Sequence, residues 1–162
     1  METTTALSDD ELERGNPPLG IVYAFVHTNL ICSLAAICDD RFTILPELDL
    51  DLPDIEAVPD IAVCDQCVVD LHHDAICRAD APRLTVEIPA PGKPPADLAD
   101  RARRYLAAGV ASCGIMLLSM RAVATCCQPG GYTSFLGAET LRDPTLGIEC
   151  AAETSLYRLI SR

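Results

Sequence analysis

The stretch that most constrains this 162-residue chain is PRLTVEIPAPGKPPADLADRARRYLAAGV, Pro82 to Val110. Leu84 to Ile88 is a short apolar run rich in β-branched residues, which suits a buried strand. One carboxylate, Glu87, interrupts it, and a charge inside such a strand is costly unless something pairs with it. Pro89, Pro91, Gly92, Pro94 and Pro95 then make a stiff loop. Ala96 to Ala108 reads as a helix, with Gly109 as the residue that ends it. Laid out by helical angle, Leu98, Ala102, Tyr105 and Leu106 form the buried stripe. Asp97, Arg101 and Ala108 border it, and Asp100 and Arg103 face water. Strand, loop and helix thus aim Glu87 and one helix edge, Arg101 included, at the same region.

The flanking segments supply a sheet and its cover. Pro17 to Cys38 is apolar on most sides and reads as a helix lying on a sheet, with His27 as a core or boundary residue. From Arg41 the text alternates apolar and polar residues through Phe42, Ile44, Leu48, Leu50 and Leu52, then resumes at Ile61 and Val63: strand, break, strand. Glu47, Asp49, Asp51, Asp54 and Glu56 crowd this hairpin as a solvated face. Pro59 fixes the entry to the apolar run IAVC, and Asp60 lands at the lip of the sheet. Val68 to Ala81 is polar and without period, a loop or short turn. After Val110, SCGIMLLS and Arg121 to Cys127 read as two further strands. Pro129, Gly130 and Gly131 turn the chain into YTSFLG, a hairpin closing the sheet. The final IECAAETSLYRLISR ends in an amphipathic turn carrying Leu156, Leu159 and Ile160.

Length allows one domain with a real core, expected over residues 17–162, preceded by a loose tail over 1–16. A net charge of -12 opposes broad attraction to nucleic acid or anionic membrane, so any phosphate contact must be local. Lys93 is the sole lysine, and Arg78, Arg83, Arg101, Arg103 and Arg104 are the nearest candidates for an arginine patch or for balancing neighbouring carboxylates. Nine cysteines, an odd number, and a polar acidic start argue against a secreted disulfide framework. The expectation is a protein of the cytoplasm, with no membrane span. Cys64 and Cys67 have CxxC spacing without a second pair, and Cys126 and Cys127 point to opposite faces of a strand; both pairs read as packed thiols. His72, His73 and Asp74 could form a metal cluster, but neighbouring histidines diverge and no further ligand has helical spacing with them.

Asp60 and Glu87, at neighbouring strand ends, offer oxygen donors of the kind magnesium takes together with waters and phosphate oxygens. The residues that carry them also carry a resemblance. FTILPELDL, VPDIAVC, the Pro82 to Ile88 strand with its proline loop, and DLADRARRYLAAGV stand in an order and spacing that resembles the Uma-two family of bacterial restriction-endonuclease-type proteins. The resemblance covers most of the chain from about His27 onward. It implies an α/β (α+β) fold of the PD-(D/E)xK restriction-endonuclease-like kind: a central mixed sheet flanked by helices, with a β-hairpin extension near the C-terminus. It also implies a magnesium-dependent nuclease in which Asp60 and Glu87 bind the metal, acting on nucleic acid, DNA before RNA. A homodimer, through the apolar helix and sheet edge, is the expected assembly. The family's helix lysine is replaced here by Arg101, and its loop serine by Ala90. A guanidinium can donate to a phosphate but cannot relay a proton, and Lys93 is the one ammonium in reach as a substitute. Two readings therefore stand: a nuclease with Arg101 as charge stabiliser, or a non-catalytic member kept for binding or regulation.

Overall fold

The computed structural model describes residues 20–67, 69–73, 78–90, 95–127 and 131–152. Helix α1 (Ile21–Ile37) precedes strand β1 (Phe42–Pro46), the small hairpin β2 (Leu50–Leu52) and β3 (Ile55–Ala57), and strands β4 (Ile61–Asp65) and β5 (Leu84–Glu87). Helix α2 (Pro95–Ala107) follows, then β6 (Ser112–Leu117), β7 (Ala122–Cys127), β8 (Tyr132–Leu136) and a second hairpin, β9 (Thr140–Asp143) with β10 (Ile148–Ala151). Six strands form one mixed sheet in the order β1-β4-β5-β6-β7-β8. Every neighbouring pair is antiparallel except β5 and β6, which run parallel with Glu87 opposite Ile115. A parallel pair needs a crossover, and α2 is that crossover.

Each face of the sheet has its own cover. On one side Tyr23, Val26, Leu30 and Leu34 of α1 pack on Ile61, Val63, Leu84 and Val86. On the other, Leu98, Ala102 and Tyr105 of α2 pack with Cys113, Ile115 and Ala124, and Leu50, Leu52 and Ile55 of the small hairpin extend that core. Strand β5 is therefore buried along its whole length, which explains its nearly continuous apolar text. The stripe expected on α2 is the buried one: Leu98, Ala102, Tyr105 and Leu106 are all inaccessible, while Asp100 and Arg103 face solvent. Burying a leucine or tyrosine there contributes about 1.5–3 kcal/mol.

The helix ends where the sequence says it should. Gly109 has φ of +102°, and Val110 N–H donates back to the Tyr105 carbonyl at 3.0 Å. A side chain at position 109 would be strained by that backbone conformation. Helix α2 begins at Pro95, one residue before the expected start, because proline suits the first helical position. The hairpin expected around Pro129 to Gly131 is β7 with β8, which closes the sheet, and the separate β9–β10 hairpin beyond it is not marked strand by strand in the sequence reading. The expected C-terminal turn, with Leu156, Leu159 and Ile160, lies outside the described residues, as do the 1–16 tail, Asp74 and Lys93.

Candidate active site

Asp60 sits immediately before β4, and Glu87 is the last residue of β5, its antiparallel neighbour. Pro59, fully buried, fixes the approach of Asp60. Both acids and Arg101 of α2 line one open cleft of about 1440 Å³ including its solvent mouth, rimmed by Tyr23, Glu47, Glu56 and Arg104 among others. The three side chains singled out in the sequence are thus brought to one place. The remaining arginine candidates are not: Arg78 pairs with Asp80, Arg83 with Asp65 and Arg103 with Asp100. Only Arg104 of that set joins Arg101 at the cleft.

The two acids are held differently. Asp60 is half-buried; its Oδ1 accepts a short hydrogen bond from the Tyr23 hydroxyl, and its Oδ2 accepts from the Ile88 backbone N–H at 2.5 Å. His27 Nε2 donates to the Asp60 carbonyl at 2.9 Å, tying α1 to the backbone of the same residue. Glu87 is 2 % exposed. Its Oε1 accepts from the Tyr105 hydroxyl at 2.9 Å and its Oε2 from Arg101 Nη1 at 3.1 Å. Arg101 and Tyr105 lie one helical turn apart on the same edge of α2, so a single helix face grips both carboxylate oxygens.

Burial dominates the electrostatics. Removal from water pushes the Glu87 carboxyl up to about 7; the Arg101 charge and the Tyr105 bond oppose this, and the nearby Asp60 charge adds to it. One guanidinium, itself half in water, does not offset the desolvation. Desolvation opposes protonation of Arg101, but the Glu87 carboxylate overcomes it and holds the guanidinium more firmly charged. Burial, followed by the Asp60 hydrogen bond, also drives the Tyr23 hydroxyl well above the usual phenol range. Burial and Glu87 do the same to Tyr105. Both tyrosines are fixed as donors at any working pH.

Can this set hold a cation? The donors are carboxylate oxygens, the chemistry a hard divalent ion prefers, and each carboxylate keeps lone pairs beyond those its partners use. Among the described residues no group of three His, Cys, Asp or Glu side chains converges. Two carboxylates completed by water and phosphate oxygens is nonetheless how magnesium is commonly bound, so the residues present fit that ion. They do not fit a zinc site: Cys64 is buried in β4, its thiol pushed up by burial, and His73 is exposed beside Asp70.

Tyr23, His27 and Tyr105 are the site residues that the sequence reading leaves unassigned. A signal existed for Tyr105, since a tyrosine in a buried stripe must find a partner for its hydroxyl. For Tyr23 and His27 there was none, because α1 is apolar nearly all round.

Comparison with known proteins agrees with this architecture. No curated protein matches the chain. A solved structure from Anabaena variabilis ATCC 29413, described as "a putative nuclease belonging to DUF820", superposes with a TM-score of 0.76 at 14% sequence identity, covering 86% of this chain and 83% of that one. At that identity the likeness speaks for the fold alone: a central mixed sheet between helices. The profile of the Uma2 family, described as "Putative restriction endonuclease", matches residues 2–153. With nearly its whole length matched, and with the strand, acid and helix order that the sequence displays, the chain belongs to the Uma2 family.

Proposed function

We propose that this cleft hydrolyses phosphodiester bonds of nucleic acid, with a divalent cation, magnesium, held by Asp60 and Glu87. The observation that supports the reading is the meeting of two carboxylates from adjacent strands and one guanidinium from the crossover helix in a single open cleft. When bound, the cation supplies Lewis-acid polarisation of the phosphate and a water of lowered pKa. The chain's own groups do the rest. Tyr23 and the Ile88 amide keep the Asp60 carboxylate aimed before substrate arrives, so little reorganisation is needed. Glu87 gives up its proton to act as a ligand, which its position near 7 makes easy at neutral pH. Arg101, permanently charged, donates to phosphate oxygens and stabilises the charge that builds on them, but it moves no proton. Loss of the lysine's proton handling makes this a slow enzyme. The test is nicking of plasmid DNA with magnesium or manganese, expected in the natural protein and absent in Asp60→Ala and Glu87→Ala. The homodimer expected from the sequence belongs to the same proposal and is read by sedimentation equilibrium.

A second reading draws on the 3.1 Å Arg101–Glu87 contact. Here the guanidinium serves as the permanent counter-charge to Glu87, and the chain is a non-catalytic binding or regulatory module. Manganese titration by calorimetry separates the two. The enzyme reading expects binding by the natural protein, lost in Asp60→Ala. The module reading expects no binding until Arg101 is replaced, as in Arg101→Ala. No described helix is long and apolar enough to cross a membrane.

A further inference from the structure

The cleft is lined by charge of both signs. Arg101 and Arg104, three residues apart on α2, line it, and so do Glu47, just after β1, and Glu56 of β3. Arg104 makes only a long 3.4 Å contact to the Asp54 carbonyl and has no carboxylate partner among the described residues. Away from the cleft, Arg41, Arg83, Arg103 and Arg142 each sit against a carboxylate, so their patches are locally neutral. The whole chain carries -12. A duplex presents two phosphate backbones, and proteins that bind it commonly neutralise roughly 6–10 phosphates. Among the described residues the cleft offers two arginines, and a second strand would meet Glu47 and Glu56.

Resting on the nuclease reading above, we propose that the substrate is single-stranded nucleic acid, gripped through about two phosphates by Arg101 and Arg104. Glu47 and Glu56 act as a filter against the complementary strand. Tyr23 is the only aromatic residue on the cleft lining among the described residues, and its hydroxyl is committed to Asp60, so bases gain little stacking. Binding is accordingly weak and nearly indifferent to base sequence.

The experiment is fluorescence anisotropy with one labelled 12-mer, free and annealed to its complement, in calcium at several salt concentrations, alongside digestion of circular single-stranded and duplex DNA with magnesium. The single strand is expected to bind at least threefold tighter than the duplex. The slope of log K against log salt should lie near about -1.4, which is two phosphates at roughly -0.7 each. Arg104→Ala should halve that slope and Glu56→Gln should narrow the preference against duplex, while Arg142→Ala leaves both unchanged. Tighter duplex binding, a slope several times steeper, or an inert Arg104→Ala overturns the substrate assignment while cleavage of either DNA keeps the nuclease reading. Neither binding nor cleavage of any form removes both.

Discussion

The two helices treat their acids in opposite ways. Helix α1 reaches Asp60 with one phenol and leaves it half in water, its other oxygen satisfied by a backbone amide. Helix α2 places a phenol and a guanidinium on Glu87 and shuts it away from solvent. An acid that keeps contact with water needs little compensation. One that loses water needs much, and Glu87 receives less than it loses, which is why its carboxyl rises to about 7. What the contrast teaches is a division of labour within the proposed cation site: there Asp60, still in contact with water, is the ready ligand, whereas Glu87 is a conditional one whose charge depends on pH.

The strongest way to break the comparison is to remove the acids. Asp60→Asn and Glu87→Gln are each expected to lower manganese affinity by more than about a hundredfold, beyond the 10–100-fold typical of residues that merely orient a ligand; calorimetry reads this directly. If only Glu87→Gln does so, the two acids are not partners.

A second test uses pH. The Glu87 carboxyl lies at about 7 in the folded chain against 4.5 as its ordinary value, so between these limits the folded state holds more protons than the unfolded one. Stability is therefore greatest below about pH 4.5 as far as this group is concerned, and falls as pH rises toward 7. The full effect corresponds to about 3 kcal/mol. Glu87→Gln, which cannot ionise, should be about 2 kcal/mol more stable than the natural protein near pH 8, with the gain vanishing toward pH 5; urea denaturation at the two pH values measures it. Cation affinity should run the other way, rising with pH through about 7 because the ligand must be ionised.

The phenols sharpen the picture further. Tyr105→Phe removes a buried donor from a carboxylate and should cost about 1.5–3 kcal/mol near pH 8. Tyr23→Phe, acting on a half-exposed acid that keeps its amide, should cost about 1 kcal/mol or less. Equal losses would mean that the two environments are more alike than their burial suggests. A comparably small loss, about 1 kcal/mol, is expected for Gly109→Ala from the left-handed backbone alone, with α2 still docked.

Much of this arrangement was legible before any coordinates. Glu87 stood out because a charge in LTVE must be accounted for, and helical angles put Arg101 on the border of the α2 stripe, where its side chain is 37% exposed. Asp60 was marked by Pro59 ahead of an apolar run. Those are local signals of period and composition. What escaped was nonlocal. Tyr23 meets Asp60 across 37 positions of chain, and on a helix apolar almost all round no break in pattern singles it out. The β9–β10 hairpin escaped because its strands pair only with each other, and four residues each leave little alternation to read. Balancing of neighbouring carboxylates was one of two expectations for the arginines; Arg78–Asp80 and Arg103–Asp100 are local pairs of that kind, whereas Arg83–Asp65 depends on the fold.

The double grip of α2 on Glu87 has one more consequence. Tyr105 indexes the helix against β5 through a ring that fills the core and a hydroxyl that finds the acid. Arg101, on the rim of the stripe, sets how much of the lost hydration of Glu87 is returned as charge. A neutral residue at position 101 therefore leaves the docking of the helix to Tyr105 and shifts the acid further toward its protonated form, so registry and ionisation are governed by two different side chains of one helix.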